Sequence, residues 1–555
     1  MKTLKIKKLV AAAGLLAMAI APAKVDACTN LIVGKDASAD GSVILTYNND
    51  GYAFCGYMIH SDRGRHAKGE KISFMNWATG KPRGYVDQVE YTYNVMGRVN
   101  ENQVAITETT FEGRHELVNP EGILEYDKVM TLALERATNA REAVQIMGKL
   151  VEDYGYCSSG ETFTVADKNE AWIMDMIGKG PGRKGAVWVA LRVPDDCICA
   201  HANLSRIRQF PLNDKANCLY SKDVISFARE MGFFSGKDKD FSFRDAYCPI
   251  DFDNVRYGDA RVWSFFRHHT DPAEMDKYLP YINAEFDKCD HLPLWIKPDK
   301  KLSVRDVMND MRDHYEGTAL DMTTDLSAGP YGTPIRPRYR PFMASDGQRY
   351  FQERPIGVQQ TAYTMVIQLR SWLPDAYGGV MHFNCDDATM VPYVPVYCGA
   401  SLVPEAFKDK YSPTKFDEKS AFWMCNFVAN MVYPRYSLII DDVREAQNEL
   451  ESYYETAVAQ VAERAKDMTT VDMMNMLNAE VQSYTDKMMA RWDKLARLII
   501  VKHNDMMRLN SKDGVCTGWE GGLKFPGYNQ RYLDEIPKST GTRYKLEQYV
   551  ERKER

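Results

Sequence analysis

Residues Val25 to Asp50 read VDACTNLIVGKDASADGSVILTYNND, and this stretch decides the fold. Two apolar runs, Leu31 to Val33 and Val43 to Leu45, flank the dipeptide Asp40-Gly41, a turn signal between strands. A two-residue turn centred there sets Cys28 within a few residues of Asp50 across the pair. A longer loop or a bulge shifts that register by a residue or two. The hairpin therefore brings a thiol and a carboxylate to one end of a sheet.

The segment before the hairpin is different in kind. Lys2, Lys5, Lys7 and Lys8 precede an apolar run from Leu9 to Ala21, too short to span a bilayer as a mature helix. Val25 and Ala27 occupy the third-last and last positions before a signal-peptidase cut, so residues 1–27 are expected to be a signal peptide and Cys28 the first residue of an exported protein. A rival reading is a lipoprotein with Cys28 lipidated. Lys24 and Asp26 stand against it, because lipid-attachment signals place uncharged residues directly before the cysteine. A cysteine at its own N-terminus carries its general base with it: the α-amine has a pKa of about 8 and the thiol about 8.5.

The chain has 555 residues, 45% of them hydrophobic, and a formal net charge of −6, which describes a globular protein with length for two or three domains. That charge, and the lack of any basic run interleaved with aromatics, exclude a nucleic-acid binder. The 12 cysteines contain no CxxC pair, so they read neither as a zinc site nor as a disulfide scaffold, although some are open to pairing outside the cytoplasm. Cys197 and Cys199 lie two apart on an expected strand and point to the same face. No metal or cofactor is expected.

From Cys28 to about residue 215 the pattern is mostly strand: Phe163 to Asp167, Glu170 to Met174 after a Lys168-Asn169 turn, Val187 to Val193, and Cys197 to Ala202. Residues 126–153 are helical by pattern, with Asn139 and Glu142 forming a capping-box start for a second helix. Further helices are expected at Ala260 to His268 and at Val304 to His314 after Ser303. Ala328 to Pro341 reads as a long loop, and Thr361 to Leu369 as a strand. Beyond about residue 410, Val443, Ala446, Leu450, Tyr454, Ala457 and Val461 recur at helical spacing, and a second long helix runs from about Val471 to Lys502. This predicts a helical hairpin docked on the core, with its methionines as packing. The expected domains are 28–410 and a helical extension, 411–555.

With these elements in place, CTNLIVGKDASADGSVI, GETFTVADKNEAWIMD, VWVALRVPDD, AHANLSRI, YGDARVWSFFR and QTAYTMVIQLR resemble the cysteine dipeptidases among the N-terminal-nucleophile (Ntn) hydrolases. The resemblance extends from Cys28 to about residue 410. It implies an α+β fold, a four-layer αββα sandwich, acting on small peptides with a free amino end in the periplasm or medium. It also implies roles: Cys28 the nucleophile, Asp50 the carboxylate that orients the terminal amine, Asn203 a donor to the oxyanion, and Arg261 the late arginine of related acylases. Relatives often read ARNxD where this chain reads TYNND, so Tyr47 stands in place of an arginine near the thiol, and a phenol supplies no fixed positive charge.

Each residue also has a structural reading. Asp50 can cap a turn before Gly51, Asn203 can be a left-handed residue ending a strand, and Arg261 can sit on a helix surface. His115, His201 and His314 are read as structural, since an N-terminal cysteine needs no histidine base. Two other functions compete: an amidase of the same fold acting on N-acyl amino acids or conjugated bile acids, and a lipid-anchored or exported binding protein without catalysis.

Overall fold

The strand Val43–Asp50 is buried along nearly its whole length, and two partners sandwich it within its sheet. Asn30–Val33 pairs with it on one side and Thr361–Leu369 on the other, both antiparallel. The computed structural model describes residues 28–75, 80–337, 341–517 and 524–548; the signal segment expected over 1–27 lies outside them. A two-residue turn at Asp40-Gly41 would set Ile32 opposite Asn49, but Ile32 faces Leu45 and Thr29 bridges Asn48. The connection is a long loop. Asp40 organises it by accepting from the Ser42 amide (3.0 Å) and hydroxyl (2.6 Å), and the Ala39 amide is held by the Leu302 carbonyl at 2.8 Å. Cys28 still falls beside the end of the Val43–Asp50 strand, as the hairpin required.

Seven strands form the first sheet, in the order Trp295–Ile296, Ile198–His201, Asn30–Val33, Val43–Asp50, Thr361–Leu369, Gly379–Cys385, Val394–Tyr397. Eight form the second, which is built around the ladder Ala105–Phe111, Gly160–Ala166, Ala171–Gly178 and Ala186–Arg192. Alternation along each strand divides the apolar side chains between two faces. Ile32, Leu45 and Ile367 of the first sheet share one core with Ala105, Ile173 and Val189 of the second. On its other face the first sheet presents Leu31, Val33, Ile44 and Val366 to Trp263, Phe265 and Val307. The other face of the second sheet presents Ile106, Val165 and Met174 to Val129, Val144 and Met147. This is an α+β protein with antiparallel sheets, helices on their faces and a helical C-terminal region.

Most elements begin and end where their punctuation directs. The helix Ala140–Tyr154 is capped by Asn139, which accepts from the Glu142 amide, and Thr361–Leu369 matches its expected span. The Glu142 carboxylate does not close a capping box; it reaches the amide and hydroxyl of Thr138. The helix after Ser303 stops at Asp310, short of His314, and Arg312 beyond it turns to the carbonyls of Ala388 and Val391. Ala260–His268 forms as expected, preceded by a π-helical turn, Val255–Asp259. Gly258 in that turn lies so close to the strand end that a Cβ would stand 2.6 Å from the Ala202 carbonyl oxygen. All 12 cysteines are free. Among the described residues no helix is long and apolar enough to cross a membrane.

The C-terminal helices Tyr436–Ala465 and Thr470–Lys502 run antiparallel, joined by Tyr454 donating to the Tyr484 carbonyl (2.7 Å) and Arg491 to Glu449 (2.8 Å). Their tie to the sheet is polar as well as apolar. Glu451, 2% exposed, accepts from Arg312, from Arg305 at 2.7 Å and from the Tyr393 amide at 3.0 Å. Gln447 donates to the carbonyls of Thr389 and Val391. Removing Glu451 strands the buried Arg312 without its charge partner. Glu451→Ala is expected to lower stability by about 3 kcal/mol in urea unfolding; an unchanged midpoint would show that the carbonyls suffice for Arg312.

Candidate active site

Cys28 enters the first sheet just before Asn30–Val33 and is 1% exposed. Its Sγ lies 3.7 Å from Glu108 Oε1 and 3.8 Å from the Tyr47 hydroxyl. Tyr47 donates its own proton to Glu108 and accepts from Asn49 Nδ2 at 2.9 Å. The phenol therefore does not point a free donor at the sulfur. On the Tyr47 side stands a cation, Arg98, also buried, whose guanidinium is 5.8 Å from the Tyr47 ring centroid and reaches the Tyr363 hydroxyl at 3.5 Å. The two sheets are locked beside the thiol by Asn30, which donates to the Glu108 carbonyl (2.7 Å) and accepts from Thr107.

Arg261 is not a surface residue; it is fully buried. Its Nη1 donates to the Cys28 carbonyl and to Thr29 Oγ1, both at 2.7 Å, its Nη2 to the Asn203 Oδ1 at 2.8 Å and the Ala202 carbonyl at 3.1 Å, and its Nε to the Tyr257 carbonyl at 2.6 Å. The structure thus joins Cys28, Arg261 and Asn203 through one guanidinium. Asn203 is left-handed, with φ of 58°, and follows the strand Ile198–His201, so its structural reading holds too. That conformation turns its amide into the site, where Nδ2 donates to the Thr110 carbonyl at 2.6 Å and keeps a second N–H.

Asp50 is fully buried and caps no turn: it accepts from Arg354 and from Thr361 Oγ1 at 2.6 Å. Burial pushes its carboxyl up to about 6, against the pull of Arg354. The Cys28 thiol is pushed well above its usual value by burial, then by the charges of Glu108 and Asp50. Glu108 and Glu161 are neighbours on adjacent strands; burial raises both, Glu161 further because Glu108 is beside it. His201 is wedged between the hydroxyls of Thr109 (2.7 Å) and Thr164 (2.8 Å); burial, then Arg206 and Arg261, keep it neutral. His314 sits away from the thiol with Glu316 and Thr389.

A cleft of about 1650 Å³ opens over this centre, with Asn49, Thr110, Glu161, Asn203 and Arg261 in its wall. Carboxylates outnumber cations along the remainder, with Glu112, Glu125, Asp127, Glu135, Asp251 and Asp253 against Lys128. No cluster of metal ligands occurs among the described residues.

Sequence reasoning missed Glu108, Glu161, Arg98 and Arg354. The first two had a signal: each is a lone carboxylate inside an otherwise apolar and threonine-rich strand, AITETTF and GETFTVA. Arg354, 304 residues from Asp50 in the chain, had none.

The family described as peptidase family C69 matches residues 27–449. The chain belongs to peptidase family C69. Its similarity to individual members is distant but long. It is 29% identical over 394 residues to a probable dipeptidase of Salmonella dublin, covering 68% of this chain and 82% of that protein. It is 26% identical over 500 residues to a probable dipeptidase of Latilactobacillus sakei, covering 86% and 95%. It is 25% identical over 496 residues to dipeptidase A of Lactobacillus helveticus, covering 84% and 93%. As a C69 protein the chain is a hydrolase of the peptidase class. The family match runs past residue 410, into the helix that carries Glu451.

Arg261 has a direct test. Arg261→Lys keeps the charge, but a lysine ammonium cannot serve acceptors spread over Cys28, Thr29, Ala202, Asn203 and Tyr257. With at least one buried acceptor left unsatisfied, the expected loss is about 3 kcal/mol in urea unfolding, together with a changed rate of thiol alkylation by iodoacetamide. A variant with the parent's midpoint and alkylation rate would contradict the anchoring role.

Proposed function

We propose that this protein is an exported cysteine dipeptidase of the Ntn class, made active by removal of residues 1–27. The observation that carries the reading is the buried Cys28 thiol behind the wall of an acidic cleft, its backbone carbonyl held by Arg261 of that wall and its surroundings shared with Asp50 and Asn203. Relatives that match most of this chain are named dipeptidases, which supports the substrate class. The three apolar cores, one between the sheets and one on the outer face of each, support a four-layer αββα sandwich. On this reading residues 28–410 hold the chemistry and 411–555 cover it.

With its nitrogen inside a peptide bond, Cys28 has no proton acceptor of its own, and burial and neighbouring carboxylates hold its thiol neutral. Cleavage changes both. The freed α-amine takes the thiol proton, and the ammonium offsets the charges of Asp50 and Glu108. The thiolate then attacks the scissile carbonyl, and the second N–H of Asn203 meets the oxyanion. The ammonium returns its proton to the leaving amine as the C–N bond breaks, leaving a thioester, and water, deprotonated by the same amine, releases the acyl group. The amidase alternative calls for an apolar pocket without a carboxylate for a substrate amine. The carboxylate-rich wall favours the dipeptidase.

Maturation is the decisive experiment. Protein beginning at Cys28 is expected to hydrolyse dipeptides, and the same folded protein with residues 1–27 or an uncleaved tag attached is not. Full activity from the extended protein would end the reading. Cys28→Ser in the mature form is expected to fold and turn over far more slowly. Asn203→Ala is expected to lower kcat/KM by a factor corresponding to about 3 kcal/mol, and an unaltered rate would remove it from the oxyanion site.

The pH profile follows from Asp50. Its carboxyl, at about 6 before the amine is freed, is protonated as pH falls through that value, and the ionised form is the one that holds an ammonium. The freed ammonium joins Arg354 in favouring the carboxylate, so the acid limb of kcat/KM in the mature enzyme is expected below about pH 6. A limb lying well above that value would assign it to another group.

A further inference from the structure

We propose that Glu161, together with Glu108, receives the α-ammonium of the substrate and so sets the requirement for a free amino end. This assignment rests on the dipeptidase reading above. In a dipeptide the ammonium nitrogen is two bonds from the carbonyl carbon under attack, through bonds of about 1.46 and 1.52 Å. The group that holds it must therefore stand beside the attacking sulfur.

Two carboxyls act on the Cys28 thiol, those of Asp50 and Glu108. Asp50 is committed to Arg354 and Thr361. Glu108 stands 3.7 Å from Sγ through Oε1, and its Oε2 is buried with no donor from elsewhere among the described residues. Glu161 is in the same condition: fully buried, Oε2 without such a donor, Oε1 held by Thr110 Oγ1 at 2.9 Å. Strand register makes the two diagonal neighbours, since Glu108 lies opposite Phe163 and Glu161 opposite Thr110. Glu161 lines the cleft, so the pair connects the thiol to the space a substrate occupies.

Two buried carboxyls this close resist ionising together without a cation beside them. A primary ammonium, with three N–H donors, supplies the missing positive charge and satisfies the open oxygens at once. An N-acylated substrate brings neither. The buried pair would then remain unsatisfied beneath it, which is the basis of strong rejection.

The test uses the mature protein, alanyl-alanine, and propionyl-alanine, which has the same outline without the amine. Wild-type kcat/KM is expected to be roughly 100-fold lower for propionyl-alanine, the scale of a buried charge-assisted hydrogen bond. Glu161→Gln is expected to raise KM for alanyl-alanine by roughly 100-fold, to act mainly on KM rather than kcat, and to shrink the discrimination between the two substrates. The rate of Cys28 alkylation by iodoacetamide reports that the nucleophile is intact. If Glu161→Gln does not fold, Thr110→Val removes the hydroxyl that orients Glu161 and is expected to raise KM in the same direction. Equal wild-type rates on the two substrates, or undiminished discrimination in Glu161→Gln or Thr110→Val, would overturn the assignment while leaving the dipeptidase intact. Absence of alanyl-alanine turnover by the mature wild type would overturn the dipeptidase reading and this assignment with it.

Discussion

A single buried guanidinium holds the centre of this molecule together. Arg261 cannot shed its charge, so it must collect acceptors, and it finds them on the Cys28 and Thr29 stretch, on the end of the Ile198–His201 strand, and one turn back in its own helix. That helix can come so near because Gly258 has no side chain to keep the π-helical turn away from Ala202. The backbone of Cys28 is therefore fixed by a helix behind the sheet rather than by its strand partners alone.

Around that anchor the fold collects negative charge. Asp50, Glu108 and Glu161 are each fully buried, and among the described residues only Asp50 has a full-charge partner in contact, Arg354. Burial raises all three, and with them the thiol. The arrangement is costly for a chain that carries no cation at residue 28 and favourable for one that does. On the proposed reading this is a physical reason for activity to be coupled to processing: the cut that would supply a base would also supply the missing countercharge.

The strands and helices were legible where their signals are local. Asn139 and Ser303 cap helices through their own side chains, and Asp167 closes the hairpin at Lys168-Asn169 by accepting from the amides of residues 169 and 170. The first hairpin misled by four residues because its loop is shaped by contact with Leu302, which no local pattern announces. The site divided in the same way. Cys28, Asp50, Asn203 and Arg261 stand in recognisable motifs, whereas Arg354 and Arg98 reach the centre only through tertiary packing. Tyr47 was noticed as a missing arginine; its actual partner, Glu108, sits on the other sheet.

The Asp50–Arg354 pair has a consequence for how the chain acquires its active form. Its two ends are 304 residues apart, and the contact between Cys28 and Arg261 spans 233. The strand Val43–Asp50 waits equally long for Thr361–Leu369, its partner on one side. Contacts of such sequence separation form late, after the entropy of closing very long loops has been overcome. A nascent chain therefore has no assembled centre, whatever the state of its N-terminus. On the proposed reading, order of synthesis would act as a second safeguard beside processing, keeping the thiol's surroundings unassembled until about two thirds of the protein has been made.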